Sequence, residues 1–182
     1  VLLVTDDQGD VDAANDISYS AVTATIGSAT FAGIPGLTAI ATNTSFRMNQ
    51  TTAVDTNAVL DFSGSHGFTF AGTTLTLEMA ETEGGLIEAQ SDLDLDVFGL
   101  VTLNGTFAFK KANGTFSLAA DETDNFTADY LAISGTVNSA FIGVDDLGLT
   151  LTTVNFGVLL VTDDQGDVDA ANDISYSAVT AT

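Results

Sequence analysis

The chain contains no cysteine and no tryptophan, one histidine, one proline and only three basic residues among 182. Each scarcity removes a class of chemistry. Without cysteine there is no disulfide framework, no thiolate metal site and no thiol nucleophile. A single histidine, His66 in "GSHG", cannot build the ligand set of a zinc centre, and no Gly-x-Ser-x-Gly elbow accompanies it. His66 therefore reads as a turn residue. Arg47, Lys110 and Lys111 stand against 25 acidic residues, a formal net charge of −22, so phosphate backbones and anionic lipid surfaces are repelled. Nucleic acid is excluded as a partner. No apolar run approaches the roughly 20 residues of a membrane-spanning helix, so membrane insertion is not expected. No pair of carboxylates stands out as the acid and base of a glycosidase, and the chain does not read as an enzyme.

What is present points to β-structure. Hydrophobic residues make up 45% and mean hydropathy is +0.30, which separates this acidic chain from disordered ones of similar charge. The acids are 20 Asp against 5 Glu, a bias towards turns and loops rather than helices. "SDLDLDV" (Ser91 to Val97) alternates strictly, placing Asp92, Asp94 and Asp96 on one side of a strand, where they read as a solvated face. "GFTFAGTTLTLEM" repeats the habit across a Gly-containing turn, and "GIPGL" around Pro35 reads as a turn between strands. Asn104-Gly105 and Asn113-Gly114 are the dipeptides favoured by tight hairpin turns, so Leu100 to Ala120 is predicted as a three-stranded meander, with strands recurring about every ten residues. One apolar face per sheet must be covered, which predicts an all-β fold: an elongated antiparallel β-stack or solenoid-like module, with a discrete β-sandwich as the alternative.

Residues 1–25, "VLLVTDDQGDVDAANDISYSAVTAT", recur without a difference at 158–182, an offset of 157. Tandem repetition is the simplest cause. On that reading, 1–157 is one complete repeat and 158–182 opens the next, with neighbouring copies as the expected partners.

The loop "TDDQGDVDAAND" gathers Asp6, Asp7, Asp10, Asp12, Asn15 and Asp16, and its twin gathers Asp163, Asp164, Asp167, Asp169, Asn172 and Asp173. Crowded carboxylates repel one another until a hard cation binds, so a Ca²⁺ site is one reading and a solvated acidic loop the other. The EF-hand spacing is absent. Asp121 to Asn125 and Asp145-Asp146 read as acidic turns. Five Asn-x-Ser/Thr triplets, at Asn43, Asn49, Asn104, Asn113 and Asn125, would be surface acceptors if the source glycosylates.

Phrases such as "FAGIPGLTA", "VTLNGTFAFKK" and "NFGVLLVTDD", with the long exact repeat, resemble giant tandem-repeat extracellular or surface proteins of bacteria, of the adhesin or fibre type. The resemblance implies a structural or adhesive role outside the cell, and Ca²⁺ at the Asp6 to Asp16 loop, although the nonapeptide "GGxGxDxUx" is absent. The alternative is a discrete carbohydrate- or ligand-binding β module, which would use exposed aromatics such as Tyr19 and Tyr130.

Overall fold

A computed structural model of the chain describes residues 1–182 apart from 10–11, 32, 54–57, 65, 119–124 and 165–171. Ten strands follow one another: β1 (Leu2–Asp6), β2 (Ile17–Phe31), β3 (Leu37–Thr51), β4 (His66–Phe70), β5 (Thr73–Leu77), β6 (Leu86–Val97), β7 (Val101–Ser117), β8 (Asn125–Val144), β9 (Leu147–Asp163) and β10 (Ile174–Ala181). Eight form one antiparallel sheet in the order β1-β2-β3-β6-β7-β8-β9-β10, while β4 and β5 pair with each other. Among the described residues the only helical element is a 3₁₀ turn, Glu81–Glu83. The protein is thus all-β, and its large sheet is an open meander rather than a barrel.

The turns are chemically legible. Pro35 and Gly36 form the bend between β2 and β3, with Leu37 N donating to Ile34 O at 3.1 Å and Gly36 at φ 81°. Proline presets the first central torsion of such a turn, and glycine accepts the left-handed second. Ala71-Gly72 and Asp145-Asp146 close two-residue hairpins, with Ala71 at φ 50° and Asp145 at φ 53°. His66 opens β4 rather than sitting in a turn.

The expected meander over Leu100 to Ala120 is not formed. Asn104-Gly105 and Asn113-Gly114 both lie inside β7, a single 17-residue strand, and neither glycine has positive φ. Their role is close approach. A Cβ on Gly105 would lie 2.5 Å from Thr136 O, where the register slips between Asn104 and Gly105, and one on Gly114 would lie 3.1 Å from the Tyr130 ring. Glycine in a strand marks a bulge or a covering neighbour as readily as a turn. Strands therefore run to as many as 20 residues, well beyond the ten-residue rhythm.

The described residues between β3 and β6 fold back over one face of the sheet. Phe62, Leu77 and Met79 from this segment pack with Ala21, Leu86 and Ala112 of the sheet, and Leu2, Leu60 and Tyr130 flank them. Asn49, fully buried in β3, donates to Leu60 O at 2.7 Å. The opposite face carries the cross-strand row Ala24, Phe46, Ala89, Phe109, Ile133, Val158 and Val179.

Candidate functional site

The two identical segments form the same hairpin. β1 pairs with β2 from Leu2↔Ala21 to Asp6↔Ile17, and β9 pairs with β10 from Leu159↔Ala178 to Asp163↔Ile174, so every partnership recurs 157 residues on. The hairpins occupy opposite edges of one sheet, six strands apart. An even number of antiparallel steps gives both the same direction. Following the cross-strand row Thr23, Arg47, Glu88, Lys110, Ala132, Leu159, Ala178 from one hairpin to the other shows a stagger of two residues, since Ala178 is the twin of Ala21 and not of Thr23. Six strands advance about 29 Å and two residues about 7 Å, a tilt of about 13°. Barrels close at a strand tilt of roughly 35–45°.

Identical residues meet different surroundings. Val4 is 37% exposed but its twin Val161 is 4% exposed, because β8 flanks β9 while β1 has no outer neighbour. The converse holds on the other strand. Ala21, between β1 and β3, is fully buried, whereas Ala178 at the outer strand is exposed.

In the first acidic loop the carboxylates are engaged by their own backbone. Asp6 Oδ1 accepts from Gln8 N and Asp7 Oδ1 from Gly9 N, each at 3.0 Å, and Asp12 Oδ1 accepts from Ala14 N at 3.1 Å. These are Asx turns, in which a short acidic side chain mimics a backbone carbonyl. In the second loop Asp163 is buried and Asp164 exposed; Asp164 and Asp173 line a cleft shared with Lys111 and Asp129. Asp10, Asp167 and Asp169 lie outside the described residues. Among the described residues no three histidine, aspartate or glutamate side chains come together as a metal site.

The Asp stripe of β6 is laced to its neighbours rather than simply solvated. Asp92 accepts from Asn43 Nδ2 at 2.8 Å and Thr106 Oγ1 at 2.6 Å, Asp94 accepts from Asn104 Nδ2, and Asn138 Nδ2 reaches Asn104 Oδ1 at 2.9 Å. Asn43 and then Thr106 hold the Asp92 carboxyl below its ordinary value. Its contribution to stability is present above the ordinary carboxyl pKa and is lost as pH falls through the lower folded value. Sequence reading missed this band; Asn43, Asn104 and Asn138 at matching heights were its only trace. The triplet asparagines are also occupied: Asn43 and Asn104 in this band, Asn113 on Asp129 at 3.3 Å, and Asn49 within the core, while Asn125 opens β8 exposed.

Comparison with protein-family models, with characterised proteins and with solved structures gives no match. The functional reading rests on geometry alone.

Two of the three cations clamp the 52–85 segment to the sheet. Arg47, Glu88 and Lys110 sit side by side on β3, β6 and β7. Arg47 grips Glu88 with Nε at 3.1 Å and Nη2 at 2.8 Å, and its Nη1 donates to Glu78 O at 2.8 Å; Lys110 Nζ meets Glu83 at 2.5 Å. Burial lowers the Lys110 pKa, but the hydrogen bond and charge of Glu83 outweigh it and leave the pKa raised. The Lys110 contribution is therefore intact below the ordinary lysine value of 10.5 and is lost as pH rises through the higher folded value. Arg47→Met is expected to lower stability by about 1–3 kcal/mol, because Glu88 keeps its part-buried charge without its forked partner. Arg47→Lys should recover less than half, since an ammonium cannot reproduce the bidentate grip. Urea denaturation of the three proteins checks this, and coincident midpoints would refute the clamp.

Proposed function

We propose that this chain is a structural or adhesive repeat unit of a long extracellular or cell-surface fibre, in which successive copies of the 157-residue period continue one β-sheet. The observation that supports the reading is the pair of hairpins, equal in sequence, register and direction and displaced by six strands. The operation relating them can be applied again without reversing the chain, and a head-to-tail operation that does not close on itself generates a filament. Each edge strand of the chain becomes an interior strand once neighbours are in place, which removes the free edges that would otherwise template aggregation. The charge of −22 keeps the fibre hydrated and discourages lateral association.

Electron microscopy of the native fibres tests this. The expected result is a repeat of about 29 Å along the axis, with strands crossing it at a spacing of about 4.8 Å. Globular beads joined by hinges, each with a closed sheet of its own, would refute it. The same images taken with a Ca²⁺ chelator read the acidic loops: loss of axial order assigns them a bound cation, and unchanged spacing leaves them as solvating turns. The second reading, a discrete carbohydrate- or ligand-binding module, is favoured by the open aromatic groove at the second hairpin and predicts saturable sugar binding by the isolated chain.

A further inference from the structure

The groove at the second hairpin is lined by Phe116, Phe126, Leu159, Val161, Tyr176 and Ala178. Four of these are repeated residues, the twins of Leu2, Val4, Tyr19 and Ala21. At the first hairpin, the same face lies beneath the folded-back segment: Ala21 is fully buried in one cluster with Phe62, Leu77 and Met79, and Leu2 packs against that cluster. The surface that holds the segment in one place is open at Ala178 in the other, where Leu159 and Tyr176 are half-buried and Val161 is buried beneath the neighbouring strand and rings, with the same residues in the same register.

We infer that this groove is the receiving half of a joint between copies, and that its occupants are Phe62, Leu77 and Met79 of a second copy, packed on Leu159 and Ala178. The inference rests on the fibre reading and deepens it by naming what joins one copy to the next.

Two further observations fit this occupant. Tyr130 packs against the first cluster and also meets Phe116 edge-on at 5.8 Å, Phe116 lies 5.9 Å from Phe126, and Phe126 lies 5.6 Å from Tyr176. Aromatic contacts therefore run without a break from the covered hairpin to the bare one, and a second segment seated on Tyr176 and Ala178 would extend the same core. Sheet pairing also brings the occupant to the right place. The outer side of β10 carries the backbone that pairs with β3 in the first copy, through Ala21↔Asn49. A second copy supplying that strand would set its Asn49 beside Ala178, and Asn49 is the residue that holds Leu60 of the segment.

The test uses the chain itself and a longer chain in which residues 26–182 are appended after Thr182, adding one period. Because the protein has no cysteine, a single Ala178→Cys, where the second period opens, gives a unique thiol whose maleimide labelling reports the groove. Labelling is expected to be rapid in the original chain and at least about 10-fold slower in the longer one, approaching the rate of an Ala21→Cys control. Leu77→Asp confined to the appended copy should restore rapid labelling. Equal labelling in both chains, or protection that survives the appended Leu77→Asp, would overturn the joint. Measured on the longer chain, a rapidly labelled thiol beside an intact axial increment of about 29 Å rejects the joint alone; absence of that increment rejects the fibre reading with it.

Discussion

Leu77→Ala is expected to lower the stability of the chain by about 2–5 kcal/mol, the range for emptying a fully buried leucine site whose surroundings relax only in part. Leu77 is 0% exposed and sits in a cluster of six buried residues. Elsewhere on the sheet apolar side chains stand open, with Phe109, Ile133, Leu149 and Leu160 each at least 40% exposed. The cluster is also what brings Glu83 over Lys110 and the Glu78 carbonyl over Arg47, so shrinking Leu77 loosens the charged clamp as well. Leu149→Ala removes the same atoms from a side chain 59% exposed and is expected to stay within about 0.5 kcal/mol of wild type. Urea midpoints compare the two variants, and amide exchange over β4 and β5 separates loss of the folded-back segment from loss of the sheet. Equal midpoints would show that the segment contributes no core.

How much of this architecture the sequence discloses depends on which physical signal each part uses. Period-two alternation reports strands directly, and Ser91 to Val97 lies in β6 as its pattern requires. The Pro35-Gly36 and Ala71-Gly72 turns were equally readable, since each needs a torsion that few residues adopt. Asn104-Gly105 misled because the same dipeptide serves two purposes. A tight turn uses the freedom of glycine in φ, whereas here the missing Cβ makes room for the β8 backbone, and only knowledge of the neighbouring strand separates them. The clamp was invisible for a related reason: Arg47, Glu83, Glu88 and Lys110 are spread over 64 positions; antiparallel register sets Arg47, Glu88 and Lys110 side by side, and the folded-back segment brings Glu83 over Lys110. The repeated ends were legible letter by letter, but that identical residues would be buried at one edge and bare at the other follows from their neighbours in space.

Gly105→Val is expected to be the most damaging single substitution in the sheet, lowering stability by about 3 kcal/mol or more. Added methyl groups usually cost about 1–3 kcal/mol where side chains can move aside. At Gly105 a Cβ would stand 2.5 Å from Thr136 O and 3.1 Å from Val137 Cα, both main-chain atoms of β8, so relief requires parting two strands that share seventeen residue pairs. Gly27→Ala supplies the contrast, because nothing lies within 4 Å of its Cβ position and its φ is not left-handed. That change should be neutral or should stabilise by about 0.4–1 kcal/mol through the unfolded chain. Gly105→Asn decides between the two roles of the dipeptide. A two-residue hairpin turn accepts asparagine at its central positions, so a turn would leave the melting temperature almost unchanged. Close approach to Thr136 forbids any Cβ, so Gly105→Asn should fall with Gly105→Val and not with Gly27→Ala in thermal melts. A wild-type melt for Gly105→Asn would mean that β7 is broken at Asn104 and that the two hairpins are not six strands apart in one sheet.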